Sequence, residues 1–111
     1  MTLEMTSIHN ISIVMIPQQF DANTAPGLES DLRAILTGSP QKMILDFSKT
    51  EYIASAGLKV LLLITRDLMK TGGQVALTGL RPAVLRVFAI AGFTSIFTIC
   101  TSQEEAIQKM T

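Results

Sequence analysis

One cysteine and one histidine among 111 residues leave little material for the commoner kinds of site chemistry. Cys100 alone cannot close an intrachain disulfide, Cys100 and His9 together fall short of a Cys/His zinc cluster, and any Ser-His-Asp triad would have to be built on His9. Charge of one sign is also lacking. Nine Lys+Arg balance nine Asp+Glu, so the basic footprint of a nucleic-acid or anionic-membrane binder is absent, and partners must be selected by local surface. Apolar runs are short: Val60 to Ile64 spans five residues, against the ~20 that cross a bilayer. Glu4 stands near the N-terminus with no basic region before an apolar stretch, so no signal peptide is expected and the protein reads as cytoplasmic, without membrane insertion. Gly72-Gly73 lacks the Lys-Ser/Thr of a phosphate loop, which removes the support for nucleotide hydrolysis and leaves no cofactor motif.

What is present is a core. Hydrophobic residues make up 48% of the chain and charged ones 16%, a balance that favours a folded domain over disorder and suits a single unit over 1–111. Leu3, Met5 and Ser7 alternate with polar neighbours, His9-Asn10 suits a turn, and Ile11, Ile13 and Met15 resume the alternation, so a hairpin is expected at the start. Asn23 or Thr24 caps a helix with Pro26 in its first turn; Leu28, Leu32, Ile35 and Leu36 share its buried face, and Gly38 stops it. Met43 to Phe47 reads as a central parallel strand. A long helix then runs from Ser55 to about Lys70 and ends at Gly72-Gly73. Gln74–Thr78 is the next strand, Pro82 sits in the first turn of a helix from Ala83 to Ala91 with Gly92-Phe93 after it, and Ile96–Ile99 is a last strand. Ser102 and Glu105 form the capping box of a terminal helix ending near Met110. The order ββαβαβαβα makes an α/β domain, a mixed but mostly parallel sheet covered by helices, with the first strand as its antiparallel edge.

Sites in such sheets lie beyond the carboxyl ends of the strands, here the loops Pro17–Asn23 and Ser48–Ser55. Ser55 is the conspicuous residue. At a helix N-terminus the free N–H groups and the dipole would hold a phosphate added to its hydroxyl; its ordinary role there is an N-cap worth ~1 kcal/mol. Farther along that helix, Lys59, Arg66 and Lys70 gather on one face with Leu63 among them, so Leu63 is expected on the surface, and Ala56, Lys59 and Leu63 form a stripe suited to a partner. Cys100 reads as a buried, inert thiol and the six methionines as core filler.

The segment Tyr52-Ile53-Ala54-Ser55-Ala56-Gly57-Leu58, followed by an aliphatic helix, resembles the signature of the STAS-domain anti-sigma factor antagonists. Phe20-Asp21-Ala22-Asn23-Thr24-Ala25 is similar to the family's acidic turn, Ile44-Leu45-Asp46-Phe47-Ser48 to its central strand, and Gly72-Gly73 with Leu80-Arg81-Pro82-Ala83-Val84 to its later punctuation. The resemblance implies a small STAS-like fold and no enzymatic activity. It further implies a partner that is an anti-sigma factor and serine kinase, a serine phosphatase, and Ser55 as the phosphate acceptor. Asp21, Asn23, Ala54, Ala56, Gly57, Lys59 and Leu63 would then contact the partner. Two positions depart from the family pattern: Ala54 stands where phosphorylated members carry aspartate, and Gln18 where glycine is common. The Ala54 departure also fits the family's phosphorylation-independent subunits, for example of a lipid-transport ATPase.

Overall fold

The computed structural model describes residues 3–37 and 42–111. Strands β1 (Glu4–Ile8) and β2 (Ile11–Met15) form the expected antiparallel hairpin. Its turn places His9 at φ 53° and Asn10 at φ 65°, the left-handed pair that suits the twist of a tight hairpin. Then follow β3 (Gln19–Phe20), α1 (Ala25–Leu36), β4 (Lys42–Asp46), β5 (Tyr52–Ile53), α2 (Ser55–Lys70), β6 (Gln74–Thr78), α3 (Pro82–Ile90), β7 (Thr98–Cys100) and α4 (Gln103–Met110). The main sheet has the order β1-β2-β4-β6-β7; β2, β4, β6 and β7 run parallel and β1 is the antiparallel edge.

Alternation along the strands sorts the core into two layers. Val14, Met43, Leu45, Val75 and Leu77 join Leu28 and Leu32 of α1, Leu61, Ile64 and Leu68 of α2 and Phe88 of α3. On the other face Ile11, Ile13, Ile44, Ala76 and Cys100 lie with Ala106 and Met110 of α4. Burial pushes the Cys100 thiol up in pKa, which fits the expected inert residue.

Helix ends follow the punctuation. Gly72 sits at φ +82° while the Gly73 N–H donates to Leu68 O at 3.0 Å and the Gly72 N–H to Met69 O at 3.0 Å, the double bond of a left-handed C-terminal cap. Phe93 N–H reaches back to Phe88 O at 2.8 Å, and the Phe93 ring meets Phe97 edge-on at 6.0 Å. On α4, Ser102 Oγ accepts from Glu105 N–H at 3.1 Å, and Glu105 Oε1 accepts from the N–H of Thr101 at 2.9 Å.

Three expectations change. The last strand is Thr98–Cys100, not Ile96–Ile99, because Phe97 is drawn into the aromatic cluster with Phe88 and Phe93 and leaves Ile96 in the preceding turn. Thr24 occupies the N-cap position of α1, but neither its side chain nor that of Asn23 bonds the helix start. The expected stop at Gly38 lies outside the described residues; α1 ends with the Thr37 N–H donating to Arg33 O at 3.1 Å. Two further strands, β3 and β5, arise where loops were expected, and they pair parallel with each other.

Candidate functional site

The β3–β5 pair draws together the two loops at the carboxyl ends of the strands. Gln18 O accepts from the Glu51 N–H at 2.8 Å, and Phe20 O from the Ala54 N–H at 2.9 Å; the Gln18 side chain adds a bond to Glu51 at 2.6 Å. Beneath them Thr50 is fully buried and its hydroxyl donates to Pro17 O at 3.0 Å or to Ile16 O at 3.2 Å. A threonine inside a polar loop gives no sign in sequence that its hydroxyl will meet carbonyls some thirty positions earlier, so its role is visible only in the fold.

The acidic turn closes on itself. Asp21 Oδ1 accepts from the N–H groups of Asn23 at 2.9 Å and Thr24 at 3.1 Å. Thr24 Oγ1 accepts from the Asp21 N–H at 3.0 Å and donates to Gln19 O at 3.0 Å. Asp21 is therefore half-buried and shapes the turn, whereas Asn23 is exposed.

Helix α2 begins against this turn. Gly57 is buried, and a Cβ on it would stand 2.7 Å from Phe20 O and 2.9 Å from the Phe20 ring; only glycine lets the first turn of α2 approach β3 so closely. Ala54, not Ser55, is the N-cap residue, at φ −108° and ψ 173° with no side-chain bond. This corrects the expected capping role of Ser55, which is the first helical residue. Its hydroxyl is exposed and has no hydrogen-bond partner among the described residues. Ala54 O accepts from Gly57 at 2.9 Å and Leu58 at 3.1 Å, so among the described residues the Ser55 and Ala56 N–H groups are the open donors of the helix start.

The absent cap carries an expected outcome. Ala54→Asp should raise the stability of the domain by about 1 kcal/mol, because aspartate in this extended conformation caps the open donors and its charge complements the dipole. Thermal unfolding at neutral pH should show a midpoint about 4–8 °C higher, and an unchanged midpoint would mean that the α2 start is not short of a cap.

Of the remaining candidates, Lys59 is exposed and Ala56 half-buried against the core. Leu63 is half-buried and does not stand out on the surface as expected; on α2 the exposed leucine is Leu62, at 37%. The reason is the neighbouring helix. One turn beyond Leu63, Asp67 accepts from Arg33 of α1 at 2.9 Å, so α1 covers the Leu63 flank. Ser55, Lys59, Leu62 and Arg66 line the uncovered one.

The sequence profile described as STAS domain matches residues 2–106. The chain belongs to the STAS-domain family. This STAS domain is 36% identical over 106 residues to BtrV of Bordetella bronchiseptica, named as a candidate anti-sigma factor antagonist, covering 96% of this chain and 91% of that protein. It superposes on an anti-sigma factor antagonist of Mycobacterium paratuberculosis with a TM-score of 0.88 and 27% identity, over 97% of this chain and 92% of that one. The Bacillus cell-fate determinant SpoIIAA, solved in a phosphorylated form, shares the fold with a TM-score of 0.73 at 19% identity, over 99% of this chain and 100% of that one.

A buried carboxylate anchors the start of the Ser48–Ser55 loop. Asp46, at the end of β4, is 4% exposed. Its carboxylate accepts from Ser48 N–H at 2.9 Å, from Thr78 Oγ1 at 3.0 Å and from Gln103 Nε2 of α4 at 2.9 Å. Burial alone would raise its pKa; the hydrogen bonds from Ser48, Gln103 and Thr78 outweigh that and hold it below the usual carboxylate value.

Proposed function

We propose that this STAS domain, acting over 1–111 as one unit, is an anti-sigma factor antagonist that works by partner switching. It binds an anti-sigma factor that is also a serine kinase and so frees a sigma factor. The observation that carries the reading is the exposed Ser55 hydroxyl, which has no hydrogen-bond partner among the described residues and stands at a helix start with two N–H groups open there. The names of the similar proteins and the phosphorylated form of SpoIIAA support it.

In the proposed switch the kinase transfers the γ-phosphoryl of ATP to Ser55 Oγ; ADP leaves, and the hydroxyl proton passes to a base of the kinase. The product adds a charge of about −1.5 to −2 next to the open donors, which tolerate it, and beside the contact residues Asn23, Ala54, Ala56 and Lys59, where it opposes docking. Asp21 and Gly57 serve by shaping that surface. A serine phosphatase resets it. Leu63, covered by α1, is replaced in this surface by Leu62.

Incubation with the cognate kinase and ATP should add one phosphate, mapped by mass spectrometry to Ser55. Phosphate found only on Ser48 or Thr50 would overturn the assignment. An inert wild type with a phosphorylated Ala54→Asp variant would instead make the chain a constitutive binding subunit. In titration calorimetry, Ser55→Asp is expected to weaken the kinase complex by about tenfold or more, while Ser55→Ala binds like wild type; equal affinities would end the switch.

A further inference from the structure

The face of α2 that begins at Ser55 runs into a trough at its other end. On a 100° step per residue, Ser55, Leu62, Arg66 and Met69 fall within about 60° of arc. Leu62, Arg66, Met69 and Lys70 line a cavity of about 430 Å³ with Ile96 of the α3–β7 turn. A second cavity of about 280 Å³ shares Met69 and Ile96 with it and continues to Lys109 of α4. Met69 is 61% exposed and Ile96 51%, two uncovered apolar side chains on one shared lining.

The charge along the trough is of one sign. The chain as a whole is neutral, yet Arg66, Lys70 and Lys109 line these cavities and no acidic side chain does. Lys70 and Lys109 form no ion pair among the described residues, and Arg66 stands 3.4 Å from Asp67, which Arg33 already holds at 2.9 Å.

From this we infer that the trough is a docking site for an acidic amphipathic helix of a partner protein. Apolar side chains at i, i+4 and i+7 would fill the space around Met69 and Ile96, and flanking carboxylates would meet Arg66, Lys70 and Lys109. The site uses neither Ser55 nor the acidic turn, and it meets the proposed switch surface only at Leu62.

The probe is a synthetic helical peptide carrying leucine at i, i+4 and i+7 flanked by glutamates, with a second peptide in which lysines replace the glutamates. Fluorescence anisotropy should show the acidic peptide binding and the basic one at least tenfold weaker. Amide shifts should be confined to the C-terminal half of α2, the Ile96 turn and α4. Arg66→Glu/Lys70→Glu should reverse the preference, and Met69→Asp should weaken binding of the acidic peptide at least tenfold with an unchanged melting temperature. Equal binding of both peptides, or shifts centred on Ser55 or on β1, would overturn the proposal. So would a dimer in sedimentation equilibrium that Ile96→Asp dissociates, since a second copy would then be the occupant.

Discussion

Gly57→Ala is expected to destabilise the domain by about 2 kcal/mol, although alanine is the better helix former by about 1 kcal/mol. The added methyl would lie 2.7 Å from a backbone oxygen and 2.9 Å from a ring. A flexible side chain could turn aside. Phe20 O cannot, because it holds the Ala54 N–H at 2.9 Å, and the Phe20 ring is fully buried. The first turn of α2 must therefore lift off β3 and separate the acidic turn from Ser55. Thermal unfolding should show a midpoint roughly 8–15 °C lower, and amide shifts should spread over both loops. A gain in stability would mean that the helix start has slack and that the close approach is not required.

Asp46→Ala should cost about 3 kcal/mol, because it strips three donors of their acceptor at once and one of them, the Thr78 hydroxyl, has no access to water. The effect has a pH signature. A carboxyl held below its unfolded value stabilises the fold above that value, about 3.9, and the contribution disappears as pH falls through the lower folded value. Wild-type stability should thus decline below about pH 4, and Asp46→Asn, which does not ionise, should lose less over the same interval. Urea titrations between pH 3 and 7 measure this. Parallel declines for both proteins would assign the acid sensitivity to other carboxylates.

The hairpin, the parallel strands and the four helices were legible because each rests on local chemistry. The alternation at Ile11 and Ile13, the Gly72 cap and the Ser102–Glu105 pair carry their own reasons. What escaped reading depends on elements distant in sequence. β3 and β5 have two residues each, too few for alternation to show; they exist because Thr50 and Gln18 pull the loops together. Leu63 was expected on the surface and Leu62 is there instead, because periodicity gives the phase of a helix but not which flank a neighbour covers, and Arg33 on α1 decides that. Ser55 was correctly found at the helix start, one position past the cap, because Ala54 has no side chain that could announce itself as one.

The bond from Ala54 to Phe20 and the open donors directly after it set a boundary between adjacent residues. The Ala54 amide is locked by a segment more than thirty positions away in sequence, so its hydrogen exchanges with solvent deuterium only when the domain opens as a whole. The Ser55 and Ala56 amides make no hydrogen bond among the described residues and are expected to exchange without that opening. Three consecutive amides thus report separately on global unfolding and on the occupancy of the helix start: an added phosphate or a seated partner would slow Ser55 and Ala56 while leaving Ala54 to follow the stability of the fold.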